Sequence, residues 1–215
     1  MTATTTDGIG ANAFEATEGV TAFFRTGSFE ESTRLATAIA RLPHVDTHPP
    51  DVDIRRDGVT VRLLTVADDW YGPSRRDVEL ARQVSEAARE LGFGADPSML
   101  QSLLIIPGAP NTAEIMPFWR AALGYEPRAD SPDEDLVDPR DRAPSFWFEA
   151  MDEPRPDGGG AIHIAVWVPP EEAQARLAAA LAAGGRLVRD RSPSWWTLAD
   201  AAGNEIDIST TEGRD

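Results

Sequence analysis

The stretch AIHIAVWVPPEEAQARLAAALAAGGRLV, Ala161 to Val188, decides how the second half of the chain is read. It opens with seven residues rich in Ile, Val and Trp and passes through Pro169-Pro170. An alanine-rich helical pattern follows and stops at Gly184-Gly185. This is a strand, a turn, a helix and a helix stop. An earlier stretch, MLQSLLIIPGAPNTAEIMPFWRAALGYEP from Met99 to Pro127, repeats the order, with Pro107 in the loop and Gly124 as the stop. Each unit then closes with apolar segments, PSFWFEAM in the first and WWTLADAAGNEIDIS in the second. The reading is a βαβββ module used twice, over 99–157 and 158–211, with a supersecondary period. Aligning the prolines sets Gln101 against His163.

Outward from this repeat, Gly92–Ser98 (GFGADPS) reads as a linker, and residues 14–91 as a separate first domain. Ser28 is a good N-cap for a helix over 28–42, with Phe29, Leu35, Ile39 and Leu42 near one face. DVDIRRDGVTVRLLTV is a hairpin turning at Arg56-Asp57-Gly58, and SRRDVELARQVSEAAREL is an amphipathic helix. Residues 1–13 read as a small-residue tail with no signal-peptide features. The acidic, proline-rich stretch 128–144 reads as a solvated loop or, failing that, a lid. The fold class expected is α+β.

Composition excludes several functions. The chain has 215 residues and a formal charge of −16, and all its cations are arginine, since it has no lysine. Such a balance repels nucleic acid and anionic membrane surfaces, and no lysine means no Schiff base. No apolar run approaches the ~18 residues of a membrane span. With no cysteine there is no disulfide and no thiolate ligand. A cytoplasmic location fits these features. No phosphate-binding loop, dinucleotide fingerprint or serine-nucleophile elbow is present.

Alternate side chains of a strand share a face. His163 therefore lies with Ala165 and Trp167, Glu149 with Trp147 and Met151, and Asp207 with Glu205 and Ser209. If the modules pair through a pseudo-twofold axis, Gln101, Glu149, His163 and Asp207 can converge in a cup between them. Trp147 and Trp167, with at least one of Trp195 and Trp196, are candidates for its lining. Aromatic walls with a few polar groups suit a flat or ring-shaped ligand. Trp119, on the first module's helix, reads as core.

FWRAALGY after the first strand, the His-led strand IHIAVWV and the closing LADAAGNEIDI together resemble the vicinal oxygen chelate superfamily, the glyoxalase and bleomycin-resistance fold, over roughly residues 100–210. The resemblance implies paired modules forming a cupped sheet and a small-molecule substrate or ligand. Metal-dependent members place ligands on the first and last strands of each module, which here are Gln101, Glu149, His163 and Asp207. Such an O/N set suits Ni, Zn, Fe, Mn or Co. It would support a lyase, isomerase or oxygenase in which Glu149 also moves a proton. Asp207 stands where these enzymes generally have glutamate. Other members bind a small molecule without metal, so sequestering or sensing is the alternative.

In the first domain, TGSFEESTRLATAIARL, THPPDVDIRRDGVTVRLLTV and SRRDVELA resemble pterin-4a-carbinolamine dehydratase. The resemblance implies an antiparallel sheet with helices on one face, and histidines acting as acid and base. The family's His-His-Pro reads Thr47-His48-Pro49 here, and its Thr-His pair reads Thr65-Val66. Only His48 remains as a catalytic candidate, with Asp68 or Asp69 as a substitute acid. His44 reads as a loop histidine. The domain can equally serve as a scaffold. Small domains of both kinds often pair, which makes a homodimer the expected assembly.

Overall fold

The computed structural model describes residues 15–17, 19–151, 161–199 and 205–213. The chain divides into two compact units, residues 1–100 and 101–215.

In the first unit β1 (Glu15–Thr17), β2 (Gly19–Arg25), β4 (Gly58–Leu63) and β3 (Asp51–Ile54) form an antiparallel sheet in that order. Alternation along β2 and β4 sends Val20, Ala22, Phe24, Val59, Val61 and Leu63 to one side, where all are buried. Helices α1 (Phe29–Ile39) and α2 (Arg75–Glu90) cover that side with Leu35, Ile39, Leu80, Ala81, Val84 and Ala88. Ser28 caps α1 by accepting from the Glu31 amide. Phe29, expected on the apolar stripe, is instead 58% exposed, because it sits at the first turn, outside the stripe Leu35 and Ile39 bury. Gly58 is required where it stands: a Cβ there would meet the Phe23 ring at 2.0 Å. A small hairpin, β5 (Thr65–Ala67) and β6 (Trp70–Gly72), leads into α2. The segment expected as a linker runs beside β2, with Arg25 N–H donating to Gly94 O and Asp96 N–H to Phe23 O, both at 2.9 Å.

The described residues of the second unit form a nine-stranded sheet built from two βαβββ modules. The first module is β7 (Ser102–Ala109), α3 (Thr112–Leu123), β8 (Glu126–Arg128), β9 (Ser131–Val137), β10 (Ser145–Trp147) and the short β11 (Glu149–Ala150). The second is β12 (Ala161–Trp167), α4 (Pro170–Ala182), β13 (Arg186–Arg191), β14 (Trp195–Ala199) and β15 (Glu205–Ser209). The strand order β13-β14-β15-β12-β7-β10-β9-β8 joins the modules through the antiparallel pair β12 and β7. On either side of this seam the last strand of a module lies parallel to its first, β10 and β11 to β7 and β15 to β12. Gly124 ends α3 in the left-handed region, φ 67°, which costs glycine least.

Half of the acidic stretch 128–144 corrects its reading as a loop. Ser131–Val137 is β9, paired with β8 and β10, and Leu136 is fully buried beside Phe146 and Phe148. Aspartate and proline are poor strand formers, so pairing on both edges and the burial of one leucine override local preference. Asp135 is buried too, and burial pushes its carboxyl above the ordinary range. Trp119 packs on Phe146 with ring centroids 5.4 Å apart, as its core reading implied. No described helix is long and apolar enough to cross a membrane.

Candidate functional site

In the second unit one face of the sheet bounds a cavity of about 520 Å³. The face is set by strand parity. Leu104, Ile106 and Gly108 come from β7, His163, Ala165 and Trp167 from β12, and Glu205, Asp207 and Ser209 from β15. Trp147, Glu149, Met151, Trp195 and Arg189 complete the lining. Three of the four residues expected as metal ligands, Glu149, His163 and Asp207, thus come to one cavity, together with three of the four tryptophans.

Gln101 does not join them. It precedes β7 and is exposed, with its Oε1 accepting from Arg176 of α4 at 2.8 Å. The reason is register. Pro107 lies inside β7, whereas Pro169 lies beyond the end of β12, so the two prolines are not equivalent positions. The cup face is even-numbered in β7 and odd-numbered in β12, and an even offset of residues lands on the wrong side. The residue paired with His163 across the seam is Ile106. Trp196 is likewise displaced: it is 4% exposed and packs with Val166, Val168, Ala173, Leu198 and Ile208. Its neighbour Trp195 takes the cup side, as adjacent strand residues must diverge.

The donor set does not fit the four-ligand metal site that the resemblance implies. With Gln101 removed, the facing position is the apolar Ile106, and among the described residues no three His, Asp or Glu side chains are grouped closely enough to hold an ion. What the cup does contain is a His–carboxylate pair. His163 Nε2 lies 3.6 Å from Asp207 Oδ2, with side chains 23% and 14% exposed. The Asp207 carboxylate raises the His163 pKa, against the effect of burial, and the charges of Glu149 and Glu205 add to the rise. Burial pushes Asp207 up in turn, but the His163 and Thr197 side chains, with the charge of Arg189, hold it below the usual carboxylate range. The imidazolium is therefore the favoured form over a wider pH range than for a free histidine. Asp207 Oδ1 is shielded from solvent.

The first unit holds a second cavity, of about 490 Å³, whose lining includes Pro43, His44, Thr47, His48, Arg75 and Arg76. His48 Nε2 is 2.6 Å from Asp77 Oδ1. Asp77 is inaccessible to solvent, and its Oδ2 accepts from Thr65 Oγ1, Ser74 N–H and Ser74 Oγ at 2.6, 2.7 and 2.6 Å. Burial pushes this carboxyl up, but hydrogen bonds from Ser74, Thr65 and His48 outweigh it and hold it below the ordinary value. Asp77 is the third residue of α2 and forms a reciprocal capping box with Ser74. Sequence reasoning missed it as a partner of His48, and the Ser-x-x-Asp spacing at a helix start was the available signal. Asp68 and Asp69, expected as substitute acids, form the turn between β5 and β6 and do not line this cavity. Val66 is 59% exposed. His44 is exposed in a loop at φ 65°, where its loop reading placed it.

Residues 104–209 match a family model described as a glyoxalase-like domain. The match lies wholly beyond residues 14–91, so the dehydratase resemblance of that part rests on its own residues. A search of curated proteins returns no match. Among solved structures, an NAD-dependent benzaldehyde dehydrogenase from Legionella pneumophila is 15% identical with a TM-score of 0.38, over 50% of this chain and 97% of that one. A glyoxalase/bleomycin resistance protein/dioxygenase superfamily member from Vibrio splendidus 12B01 is also 15% identical, with a TM-score of 0.35, over 52% and 99%. At these values neither structure carries an activity over to this chain.

Proposed function

With residues 104–209 forming a glyoxalase-like domain, we propose that the protein binds a small, ring-bearing molecule in the cup of its second unit, without a bound metal. The observation that carries this reading is the joining of Trp147, Trp167 and Trp195 to a His163–Asp207 pair in one cavity of about 520 Å³. That volume falls in the range of small-molecule sites, and indole walls with a few convergent polar groups are their usual chemistry. The His163–Asp207 pair can hold or deliver a proton at the bound ring, which leaves room for turnover as well as sequestering. The test is a thermal-shift screen of aromatic compounds on the full chain, followed by titration of tryptophan fluorescence. Binding should quench fluorescence, survive chelator, and fall at least about tenfold in Trp167→Ala and His163→Ala. A stoichiometric metal lost with His163→Ala, together with ligand binding that needs that metal, would sink the proposal.

A second reading concerns the first unit alone, and the 2.6 Å His48–Asp77 contact beside a cavity supports it. In it His48, oriented by Asp77, transfers a proton during dehydration of a pterin carbinolamine. His48→Ala should then abolish a dehydratase activity that His163→Ala leaves intact. Wild-type protein with no activity above the spontaneous rate rules this out.

A further inference from the structure

We infer that the molecule held in the second unit's cup is a flat organic cation. The inference rests on the reading of the cup as a binding site and goes beyond it in naming the ligand's class.

Charge is the first ground. The cup contains three carboxylates, Glu149, Glu205 and Asp207, against one arginine and one histidine. His163 is already committed to Asp207. Arg189 sits on the exposed edge strand β13 and donates to Thr197 Oγ1 at 3.4 Å. Among the described residues neither Glu149 nor Glu205 has an ion-pair partner. The lining is therefore net negative whichever form His163 takes, and an anionic ligand would meet repulsion on entry. The whole chain, at −16, draws cations toward it by the same sign.

The walls are the second ground. Trp147, Trp167 and Trp195 reach the cavity from three different parts of the sheet, β10, β12 and β14. Indole is the best aromatic partner for a cation, and its flat face also stacks on a planar ring. A compact inorganic cation would use the carboxylates but gain nothing from three indoles. A neutral ring would use the indoles and leave the carboxylates uncompensated. One ligand class uses both.

Four acridines of nearly one shape separate these contributions on the full chain at about pH 7.5. They are 9-aminoacridine and N-methylacridinium (cations), acridine (neutral) and acridine-9-carboxylate (anion). We expect both cations to bind about tenfold or more tightly than acridine by calorimetry, with the carboxylate unbound. The double variant Glu149→Gln/Glu205→Gln should shrink the preference for cation over neutral, read as the ratio of the two affinities. Trp167→Ala, which leaves surface charge untouched, should weaken binding of both cations and of acridine about tenfold or more. Cation binding undiminished by Trp167→Ala is attraction to the acidic surface and overturns the inference. Equal affinity for acridine and 9-aminoacridine, or tighter binding of the carboxylate, overturns the cation class while leaving the cup a binding site. Failure of all four to bind, or to quench tryptophan, removes the reading beneath it as well.

Discussion

Asp77 gives the sharpest test of the first unit. Its carboxylate is fully buried and accepts hydrogen bonds from Thr65, Ser74 twice, and His48. Asp77→Ala leaves the Ser74 amide, the Thr65 hydroxyl and one His48 nitrogen without their acceptor. Each hydrogen bond to a charged group is worth about 1.5–3 kcal/mol, but the set is not additive. Thr65, Ser74 and His48 are only half-buried, so water can reach part of what is lost. Loss of the reciprocal capping contact contributes about 1 kcal/mol. The net cost should be about 2–4 kcal/mol for alanine. Asparagine retains one acceptor oxygen and should cost about half as much. The pH dependence has a definite sign. A carboxyl depressed on folding contributes stability that is fully present above its unfolded pKa, and that is lost as pH falls through the lower folded value. Wild type should therefore lose stability in acid more steeply than Asp77→Asn. Urea unfolding of the full chain, with hydrogen exchange of the β2 and β4 amides to identify the melting unit, measures both. An alanine cost below about 0.5 kcal/mol, or superimposable acid limbs, would refute the account.

Three further predictions concern the second unit. His163 should titrate above an ordinary histidine by ring NMR, and Asp207→Asn should bring it back down. Its charged form being favoured on folding, its contribution to stability is present below the unfolded pKa and disappears as pH rises through the folded value. Leu136→Ala, at a fully buried site, should cost about 3–5 kcal/mol and accelerate amide exchange along β9; a surface-like cost under about 0.5 kcal/mol would return that segment to a loop. Gln101→Ala should leave the affinity for a cup ligand within about twofold of wild type, since its amide is held by Arg176 away from the cavity.

The two βαβββ modules were legible in the sequence because each strand, helix and glycine stop is a local signal, repeated. The same holds for α1, α2 and the β3–β4 hairpin, whose apolar spacing and turn residues are written within a few positions of one another. Parity alone put His163, Trp167, Glu149, Trp147 and Asp207 on the right faces of their strands. What parity could not decide was which face of β7 meets the same cavity as the odd face of β12. That depends on the register of two strands more than fifty residues apart, in which Ile106 stands opposite His163. A one-residue error there turns a side chain through the sheet, which is how Gln101 was counted with the cup and belongs outside it. Long-range contacts also made a strand of Ser131–Val137, whose acidic residues oppose that choice locally, and brought His48 to Asp77 across 29 positions. The sequence by itself determined the elements and the faces within each element. The tertiary structure decided which faces share a space, because register and pairing are settled by contacts between segments and by burial, and neither is encoded in any one stretch of chain.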